Sequence, residues 1–154
     1  MGTFSKLTYH IVFSTKYRRK TINDDIPERL YEYMGGIVRN LDGSLIEIGG
    51  IDDHVHLLVN FPPSKSVSNC IRDIKANSSK WMNDLPGAKL KFEWQKGYGA
   101  FTVSHSQIGM VRSYIQNQRE HHRTKSFKEE FIELLERHEI KFEHEYLFDA
   151  EHVG

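Results

Sequence analysis

Leu7, Tyr9, Ile11 and Phe13 recur at every second position, and that period predicts a strand with one apolar face. Asn23-Asp24-Asp25 then offers capping side chains, and Pro27 suits a first helical turn. Leu30, Met34, Ile37, Val38 and Leu41 follow at helical spacing until Asp42-Gly43 closes the helix. Leu45 to Gly49 and Val55 to Phe61 read as two strands, separated by Gly49-Gly50-Ile51-Asp52-Asp53. Pro62-Pro63 ends the second, because proline cannot donate to a ladder. A second helix is expected from about Ser66 to Asn83, with Val67, Ile71, Ile74 and Trp81 inward. Leu90 to Trp94 and Tyr98 to Val103 supply one more strand region, interrupted at Gly97 and Gly99. A third helix starts near Ser104 or Ser106 and buries Ile108, Val111 and Ile115. A last one, about Phe127 to His138, buries Phe131, Leu134 and Leu135.

The order β-α-β-β-α-β followed by helices predicts an α+β fold of the ferredoxin-like, split βαβ kind. Two helices cover one face of an antiparallel sheet, and the other face is left for a ligand or a third helix. A chain of 154 residues is expected to form one domain, 1–154, with a core of about 6–125 and an acidic C-terminal helix and tail over about 126–154. The single thiol, Cys70, excludes an internal disulfide framework and a cysteine-based zinc ribbon, and it fits a reducing cytoplasm. No apolar run approaches the ~20 residues of a membrane span, and the start lacks the apolar stretch of a signal peptide. Met1-Gly2 is not followed by the Ser or Thr at position 6 that myristoylation needs, since Lys6 stands there. The net charge of zero hides a segregation. Residues 1–128 hold 19 Lys+Arg against 12 Asp+Glu, and residues 129–154 hold 2 against 9. A basic body with an acidic tail suits a polyanion partner and a segment that shields it or is simply solvated.

The densest chemistry lies in Asp53-His54-Val55-His56-Leu57-Leu58-Val59. Residues two apart in a strand point the same way, so His54 and His56 project together while Val55, Leu57, Val59 and Phe61 form the apolar face. Two imidazoles at that spacing can share a metal ion. As a bare pattern they equally fit solvated or hydrogen-bonded histidines, because a divalent metal needs more than two ligands. Tyr114 and Gln118 are four apart, on one stripe of the third helix. They read either as a phenol and a metal-facing amide or as a boundary tyrosine with a solvated glutamine. Arg112, Arg119, His121, His122, Arg123 and Lys125 around them favour a phosphate nearby. A two-histidine phosphoesterase is excluded, because of its paired His-x-Thr/Ser motifs only His122-Arg123-Thr124 is present.

Three blocks together resemble a known family. They are Tyr9-His10-Ile11-Val12-Phe13-Ser14-Thr15-Lys16-Tyr17-Arg18-Arg19, then the histidine block, then Trp94-Gln95-Lys96-Gly97-Tyr98-Gly99-Ala100-Phe101 leading into Tyr114-Ile115-Gln116-Asn117-Gln118. In order and spacing they are similar to the HUH-type single-tyrosine transposases of small bacterial and archaeal insertion sequences, the TnpA-like proteins that move single-stranded DNA. The resemblance spans residues ~6–122 and implies a metal-dependent transposase of the prokaryotic cytoplasm. Tyr114 would be the nucleophile, and the helix bearing it the catalytic helix. His54 and His56 would be the paired metal ligands, Gln118 the third, and Mg²⁺ or Mn²⁺ the ion. The enzyme would nick and rejoin single strands through a 5′-phosphotyrosine, recognise hairpins at element ends, and work as a homodimer whose active sites the family can share between subunits. The residues alone also admit a domesticated relative that cuts hairpins, or a non-catalytic single-strand binder.

For the DNA, Lys16, Arg18, Arg19 and Lys20 form a basic run after the first strand, and Arg72, Lys75 and Lys80 lie along one side of the second helix. With Arg112 and Arg119 they are candidates to hold phosphates. Trp94, Tyr98 and Phe101 are candidates to stack unpaired bases, or else belong to the core.

Overall fold

The computed structural model describes residues 1–23, 25–88 and 90–148. Strands β1 (Thr8–Ser14), β2 (Ser44–Ile51), β3 (His54–Asn60) and β4 (Gly99–Thr102) form one antiparallel sheet in the order β2-β3-β1-β4. Helices α1 (Ile26–Asn40) and α2 (Val67–Asn83) connect them in the expected split βαβ manner. Then follow α3 (Ile108–Gln116), the single turn α4 (Gln118–His121) and α5 (Phe127–Arg137). Among the described residues no helix is long and apolar enough to cross a membrane. Tail positions 149–154, and Asp24 of the first capping run, lie outside the described residues.

Strand alternation sorts the side chains. Ile11 and Phe13 of β1 and Val55, Leu57 and Val59 of β3 meet Leu30, Met34, Ile71 and Ile74 of α1 and α2 in the larger core. The opposite face is not open. The tail helix α5 covers it, and Val12, Phe101, Phe127, Leu134 and Leu135 form a second core, with Phe142, Leu147 and Phe148 packed at its margin. Side-chain caps start α2 and α5 but not α1, where Asp25 makes no cap hydrogen bond and Pro27 stands in the first turn. The Ser66 hydroxyl accepts from the Asn69 N–H at 3.0 Å, and the Ser126 hydroxyl from the Glu129 N–H at 3.2 Å. At the end of α1, Asp42 adopts a left-handed φ of 60° and the Gly43 N–H donates to the Val38 carbonyl at 3.0 Å.

Three segments differ from the pattern. Residues 90–93 are not a strand, because the Asn83 side chain at the end of α2 takes both backbone groups of Phe92, at 2.7 and 3.0 Å. Contact with the end of β1 is an isolated bridge between Trp94 and Thr15, in which the Gln95 N–H donates to the Ser14 carbonyl and the Lys16 N–H to the Glu93 carbonyl, both at 2.9 Å. Trp94 and Phe101 are 8% and 4% exposed, which places both in the cores rather than on a base-stacking surface, while Tyr98 stays exposed. On α3 only Ile115 is fully buried; Ile108 and Val111 are half-buried because the helix begins one turn later, after a 3-10 turn at His105–Gln107.

Close approach of α3 to the sheet depends on Gly49, which faces His56 in the β2–β3 register. A Cβ there would lie 2.6 Å from the Ile115 carbonyl oxygen. Gly49→Ala therefore levers α3 outward, and we expect urea unfolding to show a loss of roughly 1–3 kcal/mol.

Candidate active site and metal centre

β3 projects His54 and His56 onto the face beneath α5, where both imidazoles are fully buried. The helical stripe from Tyr114 to Gln118 is broken at Asn117. Its φ of −100° and ψ of 23° turn the chain, and its side-chain amide donates back to the Ser113 carbonyl at 2.9 Å. The break tucks Gln118 inside, with its Oε1 2.8 Å from His54 Nε2. The capped first turn of α5 brings Glu130 into the same space. Its Oε1 lies 2.9 Å from His56 Nε2, 3.1 Å from His122 Nε2 and 3.4 Å from His54 Nε2. Its Oε2 accepts from Gln118 Nε2 at 3.0 Å and from the Tyr114 hydroxyl, with His121 Nε2 3.3 Å away.

Each of the three clustered histidines engages its Nδ1 elsewhere. His54 Nδ1 is 2.7 Å from Asp53 Oδ1, His122 Nδ1 is 2.7 Å from the Lys125 carbonyl, and His56 Nδ1 is 2.8 Å from His10 Nε2. The acceptors at Nδ1 of His54 and His122 would keep a proton there and free Nε2 for an ion, whereas the His56–His10 pair does not by itself fix which ring donates. His54, His56, His122 and Glu130 thus present donor atoms within 4.8 Å of one another, and the buried His122 Nε2 has Glu130 Oε1 3.1 Å away but out of hydrogen-bonding alignment. Lone pairs converging on a carboxylate repel unless positive charge lies among them. The set fits a divalent metal, since adjacent ligands on a six-coordinate ion with ~2.1 Å bonds stand about 3 Å apart.

Without a metal, protons supply that charge. Burial alone would lower the His54 pKa, but hydrogen bonds with Asp53 and Glu130 carry it to about 9. Burial would raise Glu130, yet the imidazoles of His122, His54 and His56 hold it well below the ordinary carboxylate range. Tyr114 is pushed well above its usual value by burial and then by the charge of Glu130, so the resting phenol is protonated. Burial, and next the neighbouring His56, lowers His10 to about 3.

His10 is therefore neutral in the fold, whereas the unfolded chain protonates it near 6.5. Below that pH the unfolded state binds a proton that the folded state takes only near pH 3, so stability falls by up to ~1.4 kcal/mol per pH unit from this group. In metal-free urea unfolding between about pH 6 and 4.5, His10→Gln should show a slope shallower by about that amount.

Of the basic residues read as DNA-binding, Lys16, Arg72 and Lys75 share a groove of about 550 Å³ between α2 and residues 91–98, with Lys91, Lys96 and Tyr98. Lys75 is also a strap, its Nζ donating to the Gln95 and Gly97 carbonyls at 2.5 and 2.7 Å. Arg18 lies 4.4 Å over the Phe148 ring and Arg19 5.2 Å over Tyr17. Lys20 lines another cleft beside α1, Arg112 donates to Glu47 at 3.1 Å, and Arg119 borders a cleft of about 730 Å³ that reaches Gln118 and His122.

Glu130, His10 and the metal-facing role of His122 are not apparent in the motifs. A signal for Glu130 exists. It stands three residues after Phe127 and four before Leu134, on the apolar stripe of α5, where an unpaired carboxylate is costly.

A family model described as "Transposase IS200 like" matches residues 3–118. The transposase for insertion sequence element IS200 of Salmonella typhimurium is 32% identical over 122 residues, 73% of this chain and 76% of its own. The ISDra2 transposase TnpA of Deinococcus radiodurans is 25% identical over 125 residues, 76% of this chain and 87% of its own. Among solved structures, a Deinococcus radiodurans R1 protein provisionally described as a transposase has a TM-score of 0.63 at 27% identity, over 77% of this chain and 95% of that one. A REP-associated tyrosine transposase bound to a REP hairpin shares the fold with a TM-score of 0.60 at 15% identity, over 80% and 75% of the two chains.

Proposed function

The chain belongs to the family of IS200-like transposases, and on that footing we propose that it cuts and rejoins single-stranded DNA by transesterification through Tyr114. One observation carries this reading. The carboxylate of Glu130 holds the Tyr114 hydroxyl on one oxygen and meets the imidazoles of His54, His56 and His122 on the other. Candidate nucleophile and candidate metal centre therefore meet around one group of a single chain.

In the reaction, the Tyr114 oxygen bonds to the scissile phosphorus as the bond to the 3′ oxygen breaks. The phenol gives up a proton and the leaving 3′ oxygen gains one. The products are a 5′-phosphotyrosine and a free 3′-OH. The covalent link retains the energy of the phosphodiester, so a 3′-OH can reverse the step without ATP, in keeping with a sequence that has no Walker-type phosphate loop. His54, His56 and Gln118 hold a divalent ion in this proposal, and His122 and Glu130 add to the donor set. When bound, the ion would draw charge from the phosphate oxygens and from Glu130. Three imidazoles favour Mn²⁺ over Mg²⁺, whose preferred ligands are oxygens. The Lys16/Arg72/Lys75 groove grips the sugar–phosphate backbone, and Arg18, Arg19, Lys20, Arg112 and Arg119 extend the basic surface. The hairpin-bound fold neighbour supports a hairpin as the recognised element. The protein acts in the cytoplasm as a homodimer with each site built from one chain.

Labelled single strands from both flanks of the gene, incubated with Mn²⁺ and resolved on a denaturing gel, should yield a covalent protein–DNA adduct that a matched duplex does not. Tight strand binding with no adduct on any strand would instead mark a non-catalytic binding module.

A further inference from the structure

A cleft of about 1130 Å³ opens beside Tyr114, between the end of β4, α3 and the C-terminal end of α5. Among the described residues its lining contains no Asp or Glu, although residues 129–154 hold 9 acidic residues against 2 basic ones. Arg137, the only arginine of α5, lines the cleft, is exposed, and has no ion-pair partner among the described residues. Beside it, the exposed His138 ring stacks on Phe101 with centroids 4.3 Å apart. Met110 of α3 also lines the cleft and is 68% exposed, so its flexible thioether is open to a ligand. Leu134 adds apolar surface.

Apolar and aromatic walls, an unpaired guanidinium and an absence of carboxylates match the two halves of a nucleotide. The base suits Met110, His138 and Leu134; the phosphate suits Arg137 and Tyr114. The cleft on the other side of the cluster, along Gln118 and His122, includes Glu28, Glu47 and Asp52 and is poorer for an anion. We propose that the cleft beside Tyr114 seats an unpaired nucleotide flanking the phosphate that Tyr114 attacks. This rests on the transposase reading above. It adds that the chain itself reads the presence of a base at that position.

The test uses a strand whose cut has been mapped from the wild-type adduct. Each nucleotide flanking the cut is replaced in turn by an abasic one. One of these replacements should slow adduct formation about tenfold or more with wild-type protein. Met110→Ala, which truncates an exposed side chain and leaves the cores intact, should slow the intact strand similarly and lose most of the further sensitivity to that abasic position. Arg137→Gln should weaken binding of the same strand and reduce its salt dependence. Absence of abasic sensitivity at both flanks, or full sensitivity retained in Met110→Ala, overturns the cleft while leaving the adduct, and so the reaction, in place. A wild-type protein that forms no adduct on any strand overturns the reaction and the cleft together.

Discussion

Tyr114→Phe should form no covalent adduct and cut no strand, a loss of at least about a thousandfold, because the variant lacks the oxygen proposed to bond to the phosphorus. Strand binding should persist, since the basic groove beside α2 is formed without Tyr114. The fold should persist as well. Glu130 loses one donor but keeps Gln118 and the three imidazoles, so the cost in stability is about 1 kcal/mol. The decisive form of the experiment mixes Tyr114→Phe protein with His56→Ala protein. The two rings lie 5.7 Å apart between centroids within one chain. A site built in one chain leaves the mixture inactive, whereas a nucleophile lent to a neighbouring subunit restores adduct formation. Restoration would overturn the arrangement around Glu130 as the working one.

His54→Ala and His56→Ala should each abolish metal-dependent cleavage, by roughly a hundredfold or more, and do so without unfolding the domain. Neither side chain contributes to the larger core, which lies on the opposite face of β3. The cleaner readout is the metal itself. A ligand at a hundred times its Kd stabilises the folded state by about 2.7 kcal/mol, so Mn²⁺ should raise the melting temperature of the wild type and leave both variants nearly unmoved. Mn²⁺ should do more than Mg²⁺ at equal concentration. Normal cleavage by either variant with added metal would show the ion to be held elsewhere.

Local rules carried the fold far. Alternation in Val55, Leu57 and Val59 against His54 and His56 gave the two faces of β3, and the helices expected from about Ser66 and about Phe127 begin there. The strand expected at residues 90–94 failed for a reason no period can carry, namely the capture of the Phe92 backbone by a side chain of another element. The histidine pair, Tyr114 and Gln118 were legible as motif residues, although the break at Asn117 that turns Gln118 inward was not. Glu130 was readable only as a carboxylate on the apolar stripe of α5, and His10 lay hidden in a strand where its partner is 46 residues away. Long-range contacts of that kind leave no spacing in the chain to read.

The separation of His56 from Glu130, 74 residues along the chain, has a consequence for incomplete copies of the gene. Every residue assigned to the larger core or packed against it precedes position 101, and the basic groove is lined entirely by residues before position 99. A reading frame interrupted just before α5 would thus encode the four strands of the sheet, its two covering helices and the groove proposed to grip single strands, but not the carboxylate that unites phenol and imidazoles. On the proposed function, such truncated chains would be expected to occupy the same strands as the intact protein without cutting them.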